Sequence, residues 1–489
     1  MHVKLWLLPW VLLVQAAVPA WSADGTLCEE NFDREPVGWE GINNRSTHFA
    51  PRIVRQDFGY SPSTRHAGTA AGEVGGLIHP AGEPAWYGYR LPKPLSLDDP
   101  IRASGKVLVA RGPGHFLLGF FNPDTLGAWR TPNTLAARIN GRGDGFHCHL
   151  EYCTSRWRCG AGVIGTIVPG ERIDAAEIPG GRAYAWQLAY DPKGAAGRGL
   201  VRFTLGDKTA TCPIDPGHRA DGATFTHFGL LPVLKSFDGP GEVWLDDVTV
   251  EGRQFDFAHD PRWDEKDNRR TYETTNVRPR FDFGWSPTQV AGGKAAGELG
   301  GLVFRGDCRE PQRLAAYGAR LATLTLNTPL YARGKVSMVR GVSDSTASIG
   351  FYHATWSLRS NPSQDHSTPM DYLGINIEGP SPEGFFFYPV YRVHGETAGA
   401  LGGRGGKAPR IYPDRKVHDW TLQYDPAGAG GRGQITVSLD GQPCTLDLEP
   451  GAKAVGAGFN RFGICTPWID GNSVTVFFDD LKYTCRPPP

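Results

Sequence analysis

Read by parity, Gly145-Phe146-His147-Cys148-His149-Leu150-Glu151-Tyr152 sorts into two kinds of residue. His147, His149 and Glu151 take one set of alternate positions, and Phe146, Cys148, Leu150 and Tyr152 take the other. Alternate side chains of a strand leave on opposite faces, so the apolar set enters a core and the polar set stands on the exposed sheet. Arg138 and Asn140, on either side of Ile139, fall on a similar polar face. These five residues suit three kinds of chemistry. Guanidinium, imidazole and amide groups hydrogen-bond sugar hydroxyls in a groove. His-x-His on a strand aims two imidazoles the same way, as a metal requires. A His or Glu can move a proton in acid/base catalysis, with Arg138 beside it. The fourth reading is an ordinary wet sheet face.

A later stretch, Gly384-Phe385-Phe386-Phe387-Tyr388-Pro389-Val390-Tyr391, puts Phe386 and Tyr388 where His147 and His149 stand, and Asn376 and Glu378 replace Arg138 and Asn140. Aromatic faces and a carboxylate make a sugar platform, and core packing is the competing reading. An insertion from Trp356 to Met370, carrying Asp365 and His366, is placed to overhang this face. With such different residues, one reaction shared by both stretches is not expected.

The elements that position these residues occur twice. Asp57-Phe58-Gly59-Tyr60-Ser61-Pro62 with Ala70-Ala71-Gly72-Glu73 returns as Asp282-Phe283-Gly284-Trp285-Ser286-Pro287 with Ala295-Ala296-Gly297-Glu298, both pieces 225 positions on (57 to 282, 70 to 295). Phe32-Asp33, Trp39 and Asn44-Arg45 match Phe255-Asp256, Trp263 and Asn268-Arg269. A Tyr-Asp-Pro to Gly-Arg-Gly hairpin signal recurs at 190–199 and 424–433. Val243-Trp244-Leu245-Asp246-Asp247-Val248 matches Val476-Phe477-Phe478-Asp479-Asp480-Leu481. The chain thus reads as a tandem repeat, with units at 27–253 and 254–486. Leu200–Leu205 and Gln434–Leu439 alternate with period two between Gly-rich turns, and no long amphipathic helix is evident, so an all-β sandwich is expected in each unit. Glu73 and Glu298, flanked by glycines, read mainly as carboxylates that satisfy backbone donors in a tight turn.

Charge is balanced, 51 basic against 51 acidic residues. A nucleic-acid partner normally requires a basic excess, so none is expected, and no motif calls for an organic cofactor. Residues 1–20 read as a secretory signal, with Lys4, an apolar run from Leu5 to Val18, and Val18-Pro19-Ala20 as the cleavage site. No second apolar run is long enough to span a membrane, so no transmembrane segment is expected once the signal is removed. The mature chain is then extracellular or periplasmic, where disulfides are permitted. Of nine cysteines, Cys153 with Cys159 suits a hairpin tip and Cys444 with Cys465 is a second candidate pair, but spacing does not fix connectivity.

The opening Phe-Asp with a nearby Trp, the Tyr-Asp-Pro…Gly-x-Gly hairpin and the closing aromatic-x-Asp-Asp strand resemble the concanavalin A-like jelly rolls. They are similar to the LamG-like and carbohydrate-binding domains of secreted bacterial proteins. The resemblance implies two tandem jelly-roll β-sandwiches and a polysaccharide or cell-envelope glycan as partner. It also implies a structural calcium between first and last strands, with Asp33, Asp247, Asp256 and Asp480 as ligands by analogy. The superfamily's Glu-x-Asp-x-x-Glu glycosidase strand is absent, as is an alginate-lyase-like Gln-Ile-His strand. Carbohydrate binding is therefore the leading expectation. A glycoside hydrolase or polysaccharide lyase acting through the first unit's polar groove is the alternative, and a structural or adhesive surface protein the third.

Overall fold

A computed structural model of the chain describes residues 26–47, 50–127, 131–166, 174–235, 239–342, 344–364, 366–402 and 407–487. The signal-like residues 1–20 and Asp365 lie outside these. Two jelly-roll β-sandwiches account for the described residues, and no helix among them is long and apolar enough to cross a membrane.

In the first sandwich one sheet runs in the order Cys159–Val163, Gly145–Cys153, Thr134–Arg142, His115–Phe121, Phe225–Pro232, Trp86–Leu95, Asp264–Lys266. The opposing sheet is built around Ile101–Val109, Gly241–Val250, Glu73–Ile78 and Arg52–Ser61. Every pairing is antiparallel, and the alternating apolar residues of the two sheets meet in one core that includes Phe146, Cys148, Leu150 and Tyr152. The second sandwich repeats the plan, with Tyr372–Ser381 and Gly384–Arg392 in the position of Thr134–Arg142 and Gly145–Cys153.

The sheets do not divide where the sequence repeats divide. Leu27–Glu30 pairs with Ser473–Thr484, Trp39–Ile42 with Ala316–Thr325, and Arg45–Thr47 with Arg280–Ser286. Residues 27–47 therefore complete the second sandwich. In the same way Arg253–Phe255, Asp264–Lys266 and Arg269–Thr274 complete the first. A cut at the expected 253/254 boundary severs both sandwiches; by hydrogen bonding, the first spans roughly 52–274 and the second 280–485 plus 27–47.

Matching residues hold the two returned segments. Phe32 is fully buried and Trp39 packs against Phe32, Tyr317 and Tyr483; Trp263 packs against Tyr87, Phe255 and Phe257. The Asn44 amide donates to the Phe283 carbonyl and the Asn268 amide to that of Phe58. Phe257, rather than Phe255, occupies the place of Phe32: both adopt left-handed backbone at φ 54°. The repeated glycines receive them. A Cβ at Gly297 would stand 1.8 Å from the Phe32 carbonyl oxygen, and one at Gly72 2.1 Å from that of Phe257. A side chain at either position would drive the returned segment off its sheet. Cys28 and Cys485 form a disulfide beside the Leu27–Glu30 pairing, so the chain's two described ends are joined.

The sandwiches also touch side by side. Cys159 N–H donates to the Pro382 carbonyl at 2.7 Å, and the Arg340 guanidinium of the second donates to the Gly127 and Leu234 carbonyls of the first. Tyr152 accepts from the Asp215 N–H, so its own proton goes to His218 Nδ1 at 2.9 Å. His218 Nε2 then donates across the junction to Glu383 at 3.1 Å.

Candidate functional site

The polar set on the first sandwich converges by strand register. Thr134–Arg142 and Gly145–Cys153 pair so that Asn140 lies opposite His147 and Arg138 opposite His149; on its other side Asn140 lies opposite His115. The Arg138 guanidinium donates to Glu151 at 2.6 Å and to Asn140 Oδ1 at 3.0 Å, with both members of the ion pair nearly buried. Removing either partner would take a close counter-charge from a nearly buried group, which is destabilising. His147 and His149 stand half-buried beside this bracket, and neither imidazole hydrogen-bonds any described residue. Burial, and then the Arg138 charge, push His149 down to about 4; burial and Arg142 also lower His147. Both rings are neutral at pH 7, each presenting one donor and one acceptor. His149 is thereby unprotonated and free to accept a hydrogen bond, but a weak base for proton transfer.

Sequence parity did not single out His115 or Lys235, which border the same face. Burial, with the Lys235 charge next, holds His115 well below its ordinary value. Its strand, His115–Phe121, is otherwise apolar and gives no such signal; only the register, which sets His115 opposite Asn140, brings it to this face. At the other end of this face Trp86, Leu117, Phe121, Leu231 and Val233 form an apolar cluster closed by Val342 from the second sandwich.

On the second sandwich the matching face is filled. Tyr388 is buried with Tyr352, Tyr372 and Val390, and Leu358, Phe386, Leu401 and Ala408 pack against them. Leu358 comes from the 356–370 insertion, and Leu401 and Ala408 from the segment after Gly384–Arg392. Phe386 and Tyr388 are thus core rather than platform. Asn376 accepts from Ser348 and reaches Tyr388; Glu378 accepts from Tyr388 and pairs with Arg305 at 2.7 Å, remaining 39% exposed.

The four carboxylates expected to hold calcium do not come together. Asp33 and Asp256 are exposed, and Asp247 and Asp480 pair with Lys106 and Lys335 at 2.6 and 2.8 Å. Their neighbours face inward instead. Asp246 and Asp479 are 4% and 0% exposed, each beside a buried glutamate, Glu73 or Glu298. Glu73 accepts from the Ala67 and Gly68 N–H groups and Glu298 from those of Val290 and Ala291, so each braces a turn of the repeat. Yet Glu73 Oε2 and Asp479 Oδ2 are buried without a partner. Gly68 and Gly293 arch over the aspartates, where a Cβ would stand 1.5 and 1.6 Å from Asp246 Oδ2 and Asp479 Oδ2. Burial, with the charges of Asp480 and Glu298, pushes the Asp479 carboxyl up to about 7. Unpaired, buried carboxylate oxygens are the kind of donor a hard cation takes. No group of three or more His, Cys, Asp or Glu side chains among the described residues is placed to hold a metal, the His147-x-His149 pair included.

Cys153 and Cys159 are directly paired across strands with sulfurs 2.7 Å apart. Cys444 and Cys465 lie in separate clusters, their thiols directed at the carbonyls of Phe387 and Thr466.

No family model matches the chain, and no curated protein matches it by sequence. Among solved structures, mouse laminin α1 domains LG4-5 align over 88% of this chain and 99% of that one at 11% identity and TM-score 0.23. The Emp47p carbohydrate recognition domain aligns over 42% and 89% at 9% identity and TM-score 0.26. The alginate lyase Aly36B, a mutant in complex with alginate tetrasaccharide, aligns over 39% and 82% at 12% identity and TM-score 0.26. Likenesses at these scores carry no inference about this chain's site.

Proposed function

We propose that the protein binds carbohydrate through the polar sheet face of its first sandwich. One observation carries the reading: two neutral, unengaged imidazoles, His147 and His149, stand beside a guanidinium already fixed by Glu151 and Asn140. A pre-positioned set of donors and acceptors of both kinds suits a ligand made of hydroxyls, and little ordering entropy remains to be lost on binding. The signal-like residues 1–20 and the Cys28–Cys485 disulfide support an exported protein. The matching Phe32/Phe257 and Asn44/Asn268 contacts support a duplicated ancestor whose second face was later covered.

The test is titration of a polysaccharide panel with the full chain. The double variant His147→Ala/His149→Ala leaves the Arg138–Glu151 pair intact and should weaken binding roughly 5- to 100-fold, since each lost hydrogen bond is worth about 0.5–1.5 kcal/mol. Unchanged affinity would remove this face from the function. Because burial and Arg138 hold His149 near 4, its charge should not change from pH 8 to pH 5, and the affinity of the His147→Ala variant should stay flat over that range. The same mixtures report on turnover: release of reducing or unsaturated ends that His149→Ala abolishes would make the face catalytic.

Calcium is proposed with it as a structural ion, held in each sandwich by the inward carboxylates, Glu73 with Asp246 and Glu298 with Asp479. Chelator should then lower the melting temperature and added calcium restore it; an unchanged transition would exclude the ion.

A further inference from the structure

We propose that the cleft between the two sandwiches is a second binding site, for an acidic sugar residue of a glycan. It rests on the carbohydrate reading above for the class of ligand, but on different residues. The cleft encloses about 530 Å³ and is lined by Arg156, Trp157, Arg158 and Asp221 of the first sandwich. Arg410, Tyr412, Asp414, Lys416, His418, Asp440 and Gln442 of the second complete it. Small-molecule sites commonly fall in this size range and at junctions between domains.

Both walls are built rather than incidental. The Thr154–Cys159 turn is pinned by Thr154 Oγ1, which accepts from the N–H groups of Arg156 and Arg158, and by Arg158, which grips Asp221 at 2.6 and 2.7 Å. That turn holds Trp157 in left-handed backbone at φ 57°, half-exposed at the cleft. A non-glycine residue keeps such a conformation only where the surroundings enforce it. Opposite, Tyr412 lies over Gly384, where a Cβ would come within 2.4 Å of its ring.

The polar lining points to the ligand. His418 is 6% exposed, and its Nδ1 meets Asp440 Oδ2 at 2.7 Å. The other ring nitrogen, Nε2, is buried without a partner among the described residues, on a side chain that lines the cleft. A hydroxyl, which both donates and accepts, can satisfy it. Asp221 is taken by Arg158 and Asp440 by His418, so Asp414 alone among the lining carboxylates is left to oppose Arg156, Arg410 and Lys416. Arg410 is in turn shared with Glu383 at 3.2 Å. Hydroxyls between an indole and a phenol, with an anion toward the Arg156 and Lys416 rim, describe a carboxylated or sulfated pyranose.

Calorimetric titration of the full chain with polygalacturonate, dextran sulfate and neutral dextran tests this. Wild type should bind one or both acidic polymers at least tenfold more tightly than dextran, and the preferred polymer identifies carboxylate or sulfate. Trp157→Ala and Arg156→Ser/Lys416→Ser should each cost that preference tenfold or more, with melting temperatures unchanged, whereas His147→Ala/His149→Ala should retain it. Equal affinity for dextran, or acidic binding untouched by both cleft variants, would overturn the site. Glycan binding lost only in the His147/His149 variant would leave the sheet-face reading standing and the cleft without a role.

Discussion

Divided at 253/254, the chain should yield two halves that fail to fold separately and recover structure only when mixed. The first half would keep residues 27–47 without their sheet and lose Phe255, Phe257 and Trp263 from its own core. The second would lose Phe32, which is 0% exposed, and the Trp39 cluster. Truncating one buried aromatic residue typically costs about 3–5 kcal/mol. Losing several, together with their strands, exceeds the roughly 5–15 kcal/mol by which a domain is stable. Divided instead after residue 276, the fragment 50–276 should unfold cooperatively on its own. The fragment 277–487 should do so only when 26–47 is appended after residue 487 through a short Gly-rich linker; Cys28 and Cys485 are already 5.8 Å apart at Cα. Thermal unfolding followed by circular dichroism distinguishes these cases. A cooperative transition from 27–253 alone would show that the returned segments are dispensable.

The second large effect is electrostatic. In chelator at pH 8, Asp479→Asn should raise the melting temperature by several degrees, and at pH 4 the two proteins should coincide. The carboxyl has an ordinary value of 3.8 and is held near 7 in the fold by burial and by the Asp480 and Glu298 charges. A raised carboxyl value means that the native state prefers the protonated form. Below 3.8 there is no cost; the cost grows as pH rises from about 4 to 7 and is complete above 7. At 1.36 kcal/mol per unit, and allowing for relaxation around the site, it amounts to roughly 2–4 kcal/mol. For domains of this size that is on the order of 5–10 °C. Calcium should reverse the ranking at pH 8, because the wild-type carboxylate gains a counter-ion that the amide cannot hold as well. A difference independent of pH would show that Asp479 is not charged in the native state at pH 8.

Local pattern carried some features further than others. The fixed offset between the Asp-Phe-Gly stretches marks one strand in each sandwich, Arg52–Ser61 and Arg280–Ser286, but not where either sandwich begins or ends. Alternation in Gly145–Cys153 placed His147, His149 and Glu151 on one side, since parity follows from strand geometry alone. Parity is silent on what lies over a face, however, and so Phe386 and Tyr388 look available when Leu358, Leu401 and Ala408 pack over them. It also fails at irregular backbone. Asp247 and Asp480 both adopt left-handed conformations, at φ 50°, and the ladders slip there, between Asp246 and Thr249 and between Arg333 and Lys335. A bulge re-aims the strand, which is why Asp246 and Asp479, not their neighbours, point inward. The exchange of the leading segments had no local signal. A segment's own residues make it a strand, but Phe32 and Phe257 suit either sandwich, and the connection decides which one receives them.

That connection dictates an order of assembly. A ribosome releases residues 27–47 first, yet their partners, Ala316–Thr325 and Ser473–Thr484, are among the later segments made. The first sandwich can close once residue 274 has emerged. Meanwhile the leading segment trails with Phe32, Trp39 and a thiol at Cys28 unburied, for the hundreds of residues still to come. At roughly 5–20 residues per second this wait lasts on the order of ten seconds or more. A chaperone or a translocation channel that occupies the leading segment during this interval would prevent its misplacement. Cys28 cannot meet Cys485 until the last strand is in place, so oxidation of this pair marks the end of folding and locks the ring it closes.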